Sequence, residues 1–471
     1  MKSLVYLLIP LTAWTAEWSG FRGNNGSGIA DTTGLPAELS LKAGVEWKTV
    51  LPSGKSSPVL TADRIFVTGA EGKQLFTLAL DRKTGKILWR RAVTPDRGEP
   101  HHKLNTPAVA SPVTDGTNVY AFFANFGLVS YGPDGNERWR MPLGPFTNLH
   151  GMAASPILSN GNLVMALDHD IDSVLLAVGK DSGKAVWKTA RPSVVHGFAT
   201  PVVFGNQIVL PGSYQLIGYA SDTGKEVWSV SGLTWQVKPT AVVDQDTVYA
   251  TGWAPGADAG QRQPLPAFAD ALAAADSNGD RKLSNAELPK EWKHGGSWDF
   301  IDLDRNGLLD EREWGFYNAR RTAENVTLAV RPGRATGDLT ATHVLWKYDR
   351  SVPVVSSPLL YDGVLYTIKD GGVLTSLDAK TGEVLKQARL RDAVDSYYSS
   401  PVVADGKMYI LSENGKATVV KPGREWQQLN TTDLEEPCYA TPAIADGRIY
   451  LRTMNALYSL KGNPTGNSQT Q

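Results

Sequence analysis

The sequence has very little cysteine, almost no net charge and no long apolar run. Its single cysteine, Cys438, excludes an intramolecular disulfide and a Cys-x-x-Cys metal site, and we expect it to be a small buried side chain. The formal net charge is −1 at pH 7. A chain so close to neutrality has no overall field for nucleic acid or an anionic membrane surface, and we expect neither as a partner.

The apolar run that is present lies at the amino terminus. Lys2 precedes a stretch from Leu4 to Trp14 that Pro10 interrupts, which is too short for a membrane-spanning helix and typical of a secretory signal. We therefore predict a signal peptide over residues 1–16 and a periplasmic or secreted protein. Trp14 stands where a small residue is preferred before cleavage, so an uncleaved apolar start is the alternative. We expect no lipid anchor, because no cysteine follows the run, no later membrane span, and a monomer.

One unit recurs about every 40 to 50 residues, except across one gap. It begins with Ser/Thr-Pro and continues with a short apolar strand, a polar turn and a second strand. A third strand ends near Asp, a turn such as Thr84-Gly85-Lys86 follows, and a fourth strand ends in tryptophan. Seven regular starts and a degenerate one make eight: Ser57-Pro58, Ser111-Pro112, Ser155-Pro156, Thr200-Pro201, Lys238-Pro239-Thr240, Ser357-Pro358, Ser400-Pro401 and Thr441-Pro442. This period is typical of β-propeller blades.

Tryptophans mark the predicted end of the fourth strand in most units: Trp89, Trp139, Trp187, Trp228, Trp346 and Trp426, with Leu385 in the sixth unit. Each ring is expected to pack against the next blade, which makes its role structural. The last unit stops after three strands, at Ala456 to Leu460. We predict that the segment around Trp47 supplies its fourth strand and closes an all-β, eight-bladed propeller without an exposed sheet edge.

These units resemble the pyrroloquinoline-quinone-like (PQQ-like) propeller repeat over about Val45 to Leu460, outside one insertion. The segment Trp18-Ser-Gly-Phe21-Arg22-Gly23 is similar to the amino-terminal part of secreted repeat proteins of this kind in planctomycetes and related environmental bacteria. The resemblance implies a propeller, and it implies either a quinone-dependent dehydrogenase or a non-catalytic scaffold, because the same repeat serves both.

The repeat stops between Tyr249 and Val326, where two twelve-residue stretches match the EF-hand calcium loop. An alanine-rich helix is expected over Leu265 to Ala275. The predicted calcium ligands lie at positions one, three, five, seven, nine and twelve of each loop: Asp276, Asn278, Asp280, Lys282, Ser284 and Glu287 in the first, and Asp302, Asp304, Asn306, Leu308, Asp310 and Glu313 in the second. We predict weaker binding at the first site, because Arg281 occupies the turn position that Gly307 holds in the second.

The two loops are expected to act as a pair. Leu283 and Leu309 stand at position eight, where paired loops join through a short strand. Five aromatic side chains are expected to form the small core of the pair: Trp292, Trp298, Phe300, Trp314 and Phe316. A structural calcium pair in an exported protein is our interpretation, and an acidic linker that binds nothing is the alternative.

Residues just before each first strand of a propeller gather on one face around the central channel. The candidate pocket residues there are Lys55, His102, Asn105, His150, His196, Trp235, Lys238, Tyr397 and Tyr439. They predict either a pocket for a small-molecule or protein ligand or a ring of ordinary loop side chains with bound water. A further acidic cluster, Asp168-His-Asp170-Ile-Asp172, is interpreted as a solvated hairpin end, with a cation site as the alternative.

The hypothesis that we favour is an exported, calcium-binding propeller that acts as a non-catalytic scaffold. The alternative is a PQQ-dependent alcohol or sugar dehydrogenase. For that activity the resemblance implies a stacking tryptophan, cationic partners and a catalytic calcium with an aspartate base, and no such acidic set is assignable. The expected organisation is a signal peptide (1–16), an extension (17–44), propeller (45–253), the insertion (254–325), propeller (326–461) and a disordered tail (462–471).

Overall fold

The computed structural model describes residues 18–258 and 260–462. The predicted signal peptide and residues 463–471 of the predicted tail lie outside the described residues. The domain boundaries given above stay predictions. None of the described helices is long and apolar enough to cross a bilayer.

The described part of the chain forms an eight-bladed β-propeller, as predicted. After β1 (Val45–Val50), the first four blades follow in chain order as antiparallel four-stranded sheets. Their strands are β2 (Val59–Leu60), β3 (Arg64–Glu71), β4 (Gln74–Asp81) and β5 (Ile87–Val93); β6 (Val113–Thr114), β7 (Val119–Phe123), β8 (Gly127–Tyr131) and β9 (Glu137–Pro142); β10 (Ile157–Ser159), β11 (Asn162–Leu167), β12 (Val174–Gly179) and β13 (Ala185–Ala190); and β14 (Val202–Phe204), β15 (Gln207–Gly212), β16 (Gln215–Ala220) and β17 (Glu226–Ser231).

The fifth blade is split by the insertion, and the remaining blades are regular. The fifth blade contains β18 (Val242–Asp244), β19 (Thr247–Gly252), β22 (Val326–Val330) and β24 (Val344–Tyr348), while the insertion contains α1 (Phe268–Ala275), β20 (Leu283–Ser284), β21 (Leu308–Leu309) and α2 (Glu311–Thr322). In the connection after β22, β23 (Gly337–Asp338) adds a parallel fifth strand to β17. The last blades contain β25 (Leu359–Tyr361), β26 (Val364–Lys369), β27 (Val373–Asp378) and β28 (Val384–Arg389); β29 (Val402–Ala404), β30 (Lys407–Leu411), β31 (Lys416–Lys421) and β32 (Gln427–Asp433); and β33 (Ala443–Ala445), β34 (Arg448–Arg452) and β35 (Ala456–Lys461).

The amino-terminal strand closes the ring, as predicted. β1 runs antiparallel to β35, with Trp47 opposite Ser459 and Val50 opposite Ala456. The eighth sheet therefore contains the two ends of the propeller, and the edge that β35 would otherwise expose is paired.

A continuous ring of hydrogen bonds joins the eight blades around the channel. In each blade the first Ser or Thr of the repeat donates its backbone N–H to the side-chain oxygen of the equivalent residue in the next blade, over 2.9 to 3.2 Å. This hydroxyl ring consists of Ser57, Ser111, Ser155, Thr200, Thr240, Ser357, Ser400 and Thr441. Thr240 takes its place in it, so the degenerate start is a true blade start. The last bond, from Thr441 to Ser57, joins the final blade to the first.

The tryptophans lock neighbouring blades together, but they lie near the beginning of the fourth strand and not at its predicted end. Trp89 is the third residue of β5, and Trp139 is the third residue of β9. The Trp89 indole donates a hydrogen bond to Pro133 of the next blade at 2.9 Å. A Cβ atom built on Gly135 of that blade, whose φ is +79°, would lie within 3.0 Å of the Trp89 ring. The ring thus covers a turn that only glycine fits without strain, and the strand continues past the tryptophan.

Residues 18–29 run across one mouth of the channel. Trp18 forms a bridge with Leu60 of the first blade, and Ile29 forms one with Val403 of the seventh. Between them, Arg22 is fully buried and donates a hydrogen bond from Nη2 to the Pro358 carbonyl at 2.6 Å. In each blade these partners come just after the hydroxyl-ring residue in the sequence. The segment therefore covers one end of the channel, and the residues that precede the hydroxyl ring lie at the other end.

The insertion leaves the propeller between the second and third strands of the fifth blade. α1 begins three residues later than predicted, at Phe268, because Pro266 precedes it. α2 begins with a capping box, in which the Asp310 side chain accepts from the Glu313 amide and Glu313 accepts from the Asp310 amide. Leu283 pairs with Leu309 in the short β20–β21 ladder, which confirms the predicted pairing at position eight.

The core lies between neighbouring sheets rather than in one central mass. A cluster containing Tyr249, Trp346 and Leu365, for example, joins the fifth and sixth blades. Cys438 is buried, as expected, and burial raises the pKa of its thiol to about 12. A thiol that stays protonated at neutral pH is a packing residue and not a nucleophile.

Candidate functional site

A cavity of about 350 Å³ opens at the end of the channel where the residues that precede the hydroxyl ring lie. A second ring of side chains forms its wall. Each member stands two residues before a hydroxyl-ring residue, and all eight line the cavity: Lys55, Val109, Ala153, Phe198, Lys238, Val355, Tyr398 and Tyr439. We call this set the wall ring. Phe21, from the segment at the other mouth of the channel, also lines the cavity.

The two lysines of the wall ring occupy opposite positions. Lys55 belongs to the first blade and Lys238 to the fifth, and in a ring of eight these blades face each other. Lys55 donates to the Leu104 carbonyl, and its Nζ lies 3.2 Å from the centre of the Tyr439 ring. Lys238 donates to the Trp253 carbonyl at 3.2 Å. Burial lowers the pKa of Lys55 to about 8 and that of Lys238 to about 7.

Three more of the predicted residues, His102, Asn105 and His150, form a basic rim above the wall ring. The His102 and His150 rings meet edge to face with centroids 5.5 Å apart, and Asn105 donates from Nδ2 to the His150 carbonyl at 3.0 Å. Burial and the neighbouring His196 and His102 lower the pKa of His150 to about 4. His150 is therefore neutral at physiological pH and offers a hydrogen bond rather than a charge.

Carboxylates are set back from the cavity. Among the described residues, its lining contains no aspartate or glutamate. The nearest acids act through the wall: Glu413 accepts from the Tyr439 hydroxyl at 2.9 Å, and Asp370 accepts from the Tyr397 amide at 3.0 Å. Burial raises the pKa of Asp370. The side chains that line the cavity are thus basic, aromatic or apolar, together with the amides of Asn105 and Gln236 and the hydroxyls of the ring.

The structure separates three of the predicted pocket residues from the cavity. Tyr397 packs inside the blade and donates its hydroxyl to the Ala393 carbonyl at 2.6 Å, and its neighbour Tyr398 lines the cavity instead. His196 and Trp235 are buried beside the cavity, with their rings 5.5 Å apart. They were predicted as lining residues because they precede a first strand. The side chains of these two residues are buried beside the cavity, and the residues that follow them in the same loops, Phe198 and Lys238, line it instead.

The acidic cluster after β11 is neither a solvated hairpin end nor a set of three carboxylates on one face. Asp168 is buried and forms an ion pair with the buried Arg191, with Nε and Oδ1 at 2.8 Å. Asp170 Oδ1 lies 2.7 Å from Nδ1 of His196, whose φ is +49°. Asp172 is exposed. Two of the three carboxylates thus hold the blade loops beside the cavity.

The insertion lies on the propeller at this side of the cavity, a contact that the sequence did not predict. The Phe300 ring lies between His150 and His196, with centroid distances of 5.5 and 6.3 Å. The Arg320 guanidinium stacks on Trp235 at 3.9 Å. Phe316 stacks on Tyr214 of the fourth blade. Phe300 and Phe316 were expected in the core of the insertion, but that core forms around Trp314 with Trp292 and Trp298 at its edge.

The second predicted calcium loop brings three carboxylates together. Oxygen atoms of Asp302, Asp304 and Glu313 lie within 4.8 Å of one another, with Asp302 and Glu313 buried. Gly307, at the turn, has a φ of +89° and donates its amide to Asp302 at 2.8 Å. The donors are hard oxygen atoms, which is the chemistry that calcium prefers.

The first loop has the same backbone course in a more exposed setting. The Arg281 amide donates to Asp276 at 2.9 Å, and Glu287 accepts from the amides of Ser277 and Ser284. These hydrogen bonds lower the pKa of Glu287 to about 2. Arg281 has a φ of +62°, a conformation that costs a side-chain-bearing residue free energy.

The chain matches one protein-family model and is similar in sequence to one known enzyme. A family model described as outer membrane protein assembly factor BamB matches residues 14–169, 129–254 and 272–456. The tetrathionate hydrolase of Acidithiobacillus ferrooxidans is 22% identical over 379 residues, covering 74% of this chain and 69% of that protein.

Two solved structures illustrate the shared fold. BamB from Moraxella catarrhalis superimposes with a TM-score of 0.57 at 11% identity, covering 89% of this chain and 99% of that chain. A europium-containing methanol dehydrogenase superimposes with a TM-score of 0.59 at 10% identity, covering 93% of this chain and 90% of that chain. At these identities the likeness concerns the fold alone and does not show a shared function.

Proposed function

The chain belongs to the family described as outer membrane protein assembly factor BamB, and on that premise we propose that it is an exported, calcium-binding propeller that acts as a non-catalytic scaffold. Its channel-face cavity binds a small anionic molecule or an acidic group of a partner. The observation that carries the proposal is a cavity lined by two lysines, Lys55 and Lys238, and two imidazoles, His102 and His150, with no carboxylate in its lining among the described residues.

An anion suits this cavity for an electrostatic reason. A buried lysine without a counter-charge loses solvation, which is why the pKa values of Lys55 and Lys238 are lowered to about 8 and about 7. A bound anion restores the lost stabilisation and itself gains two charged hydrogen-bond donors. The cavity volume is within the usual range for small-molecule sites.

Binding without turnover is proposed because the hydroxyl groups of the cavity, which are its candidate nucleophiles, already have structural tasks. The eight hydroxyls each accept a backbone N–H from the neighbouring blade, and the Tyr439 hydroxyl is held by Glu413. Groups fixed in this way orient a ligand well. As nucleophiles they are weakened, because one oxygen lone pair of each ring hydroxyl is engaged by the N–H of the neighbouring blade.

The dehydrogenase alternative fits these residues poorly. A planar quinone cofactor needs an open tryptophan face, but Arg320 of the insertion already stacks on Trp235. The cavity lining of the described residues also offers no carboxylate to hold a quinone-bound metal ion or to act as a base. PQQ therefore remains the less favoured cofactor.

The donor sets of both loops support calcium binding in the insertion. Loop two combines three clustered carboxylates with glycine at its turn, and loop one has Arg281 at that place, so loop two is proposed as the tighter site.

Arg281→Gly should tighten calcium binding at loop one about fivefold, because about 1 kcal/mol of backbone strain is removed. Arg281→Ala is the matched control: it removes the same charge but keeps a Cβ at positive φ. Calorimetric calcium titration in a Glu313→Gln background isolates this site. Equal calcium affinities in Arg281→Gly and Arg281→Ala would mean that the charge of Arg281, and not backbone strain, weakens binding at loop one.

Export is proposed from the signal sequence predicted over residues 1–16. Amino-terminal sequencing of protein recovered from the periplasm or the medium tests it, and a chain that retains Met1 in the cytoplasm would contradict it. Size-exclusion chromatography with light scattering of the same material tests the predicted monomer.

The function is tested by titrating the calcium-loaded protein with small anions in a calorimeter. Tetrathionate, which the name of the curated relative suggests, is a first ligand to try, because it is a small dianion. Saturable binding without consumption of the anion is the expected result. In parallel, protein incubated with PQQ and calcium is assayed for dye reduction with alcohols and sugars. Turnover in that assay, or no binding of any anion, would overturn the proposal.

A further inference from the structure

The arrangement of charge in the wall ring points to the shape of the ligand. Of its eight members, two are cationic, and they belong to the first and fifth blades. One arc between them consists of Val109, Ala153 and Phe198, and the other of Val355, Tyr398 and Tyr439. The wall ring is therefore positive at two opposite points and apolar or aromatic between them.

We propose that the cavity binds a linear dianion with an acidic group at each end and an apolar middle. One end pairs with Lys55 and the other with Lys238, while the middle lies across the two apolar arcs. This inference rests on the proposed anion-binding function and goes beyond it, because it specifies the number of charges on the ligand and their separation.

Each lysine has donors to spare for such a ligand. Among the hydrogen bonds of the described residues, Lys55 Nζ donates to Leu104 and Lys238 Nζ donates to Trp253, and an ammonium group carries three donors. Glu413 is the acid whose charge acts on Lys55, and Asp370 is the one that acts on Lys238. Neither acid is among the residues that line the cavity, so the cavity side of each ammonium group is left to the ligand.

A monoanion has only one acidic group and satisfies one lysine. A dianion that is too short leaves one lysine unpaired, and one that is too long must fold. Affinity should therefore rise with chain length to one optimum and then fall. A diffuse positive field would instead give affinity that depends on charge alone.

The probes are the linear dicarboxylates from succinate to suberate, each compared with the monocarboxylate of the same chain length, in the calcium-loaded protein at pH 6.5. Binding is measured by calorimetry for the wild type, Lys55→Met, Lys238→Met and the double variant. Lys73→Met, at an exposed hairpin position, is the matched control for loss of one positive charge. Thermal melting confirms that each variant is folded.

We expect one chain length to bind at least tenfold more tightly than its monocarboxylate. Each single cavity variant should remove that advantage and leave monocarboxylate affinity within about threefold of the wild type, while Lys73→Met leaves both unchanged. Equal affinity for mono- and dicarboxylates, no optimum of length, or an effect of Lys73→Met equal to that of the cavity variants would overturn the inference while anion binding stands. If no probe of either series binds, the inference falls, and the proposed function falls with it only if tetrathionate also fails to bind.

Discussion

At the scale of single residues, the lowered pKa values of the two cavity lysines predict how anion affinity depends on pH. In the free protein Lys238 loses its proton near pH 7 and Lys55 near pH 8, whereas a bound dianion favours the charged form of both. Binding above these values therefore takes up protons, and affinity falls as the pH rises. We expect a flat affinity below pH 7, a tenfold loss per pH unit between 7 and 8, and a steeper loss above 8. His150, with its pKa near 4, stays neutral throughout.

Calorimetry with the best dicarboxylate between pH 6 and 9, in buffers of different ionisation enthalpy, measures both the affinity and the proton uptake. Lys238→Met should shift the start of the decline from pH 7 to pH 8 and limit it to one proton. An affinity that is constant across this range would contradict the placement of the ligand between the two lysines.

The contact between Trp89 and Gly135 makes a second residue-scale prediction. Gly135→Ala places a Cβ at positive φ and within 3.0 Å of the Trp89 ring. Strain costs about 1 kcal/mol and overpacking adds about 1–3 kcal/mol. Gly406→Ala is the matched control, because Gly406 has a φ of +64° with no atom within 4 Å of the added Cβ, so it suffers the strain alone. Urea unfolding of both variants measures the difference in their free energies of unfolding. Equal losses would mean that the Trp89 ring moves aside without a free-energy cost.

At the scale of elements, the repeat could be predicted from the sequence because its signals are local. Ser/Thr-Pro starts, turn glycines and tryptophans recur within each unit, and the unpaired fourth strand had one counterpart, around Trp47. Tertiary placement was not predictable in the same way. Successive side chains in extended backbone point to opposite sides, so a shift of one residue decides whether Tyr397 or Tyr398 faces the cavity. The docking of Phe300 on His150 depends on surfaces that are far apart in the chain.

The insertion couples its second loop to the wall of the cavity. Phe300 lies two residues before Asp302, the first predicted ligand of that loop, and it contacts Trp235 and the two histidines. If the second loop binds calcium as proposed, its loss in Glu313→Gln should loosen Phe300 and lower the hydrogen-exchange protection of residues 194–198 and 233–237 by at least tenfold. Glu287→Gln, in the more exposed first loop, is the control and should leave these segments unchanged. Protection that does not respond to either variant would mean that the contact holds without the metal ion.

At the scale of the whole molecule, one hydrogen bond of the hydroxyl ring, from Thr441 to Ser57, differs from the other seven. Neighbouring blades elsewhere are joined by the chain as well as by the ring, whereas the last blade meets the first only through non-covalent contacts and through β1 within the eighth sheet. Ser57→Ala removes the acceptor of the Thr441 amide, and Ser155→Ala removes the acceptor of the Ser111 amide. Each leaves one buried N–H unpaired and should lower the free energy of global unfolding by about 1–3 kcal/mol.

The two variants should differ in local opening, although their global losses are similar. With Ser57→Ala the ring can open between the last and first blades once β1 detaches from β35, which opens only the eighth sheet and leaves the other seven blades intact. Hydrogen exchange in β1, β2 and β35 should therefore accelerate by more than the global loss of stability explains. With Ser155→Ala, blades two and three stay tethered by the chain, and exchange should follow global stability. Ser57→Thr keeps the hydroxyl, as three ring positions do naturally, and should restore the wild-type pattern. If Ser57→Ala and Ser155→Ala gave the same local exchange, closure would be carried by β1 and the tryptophan contacts rather than by the ring.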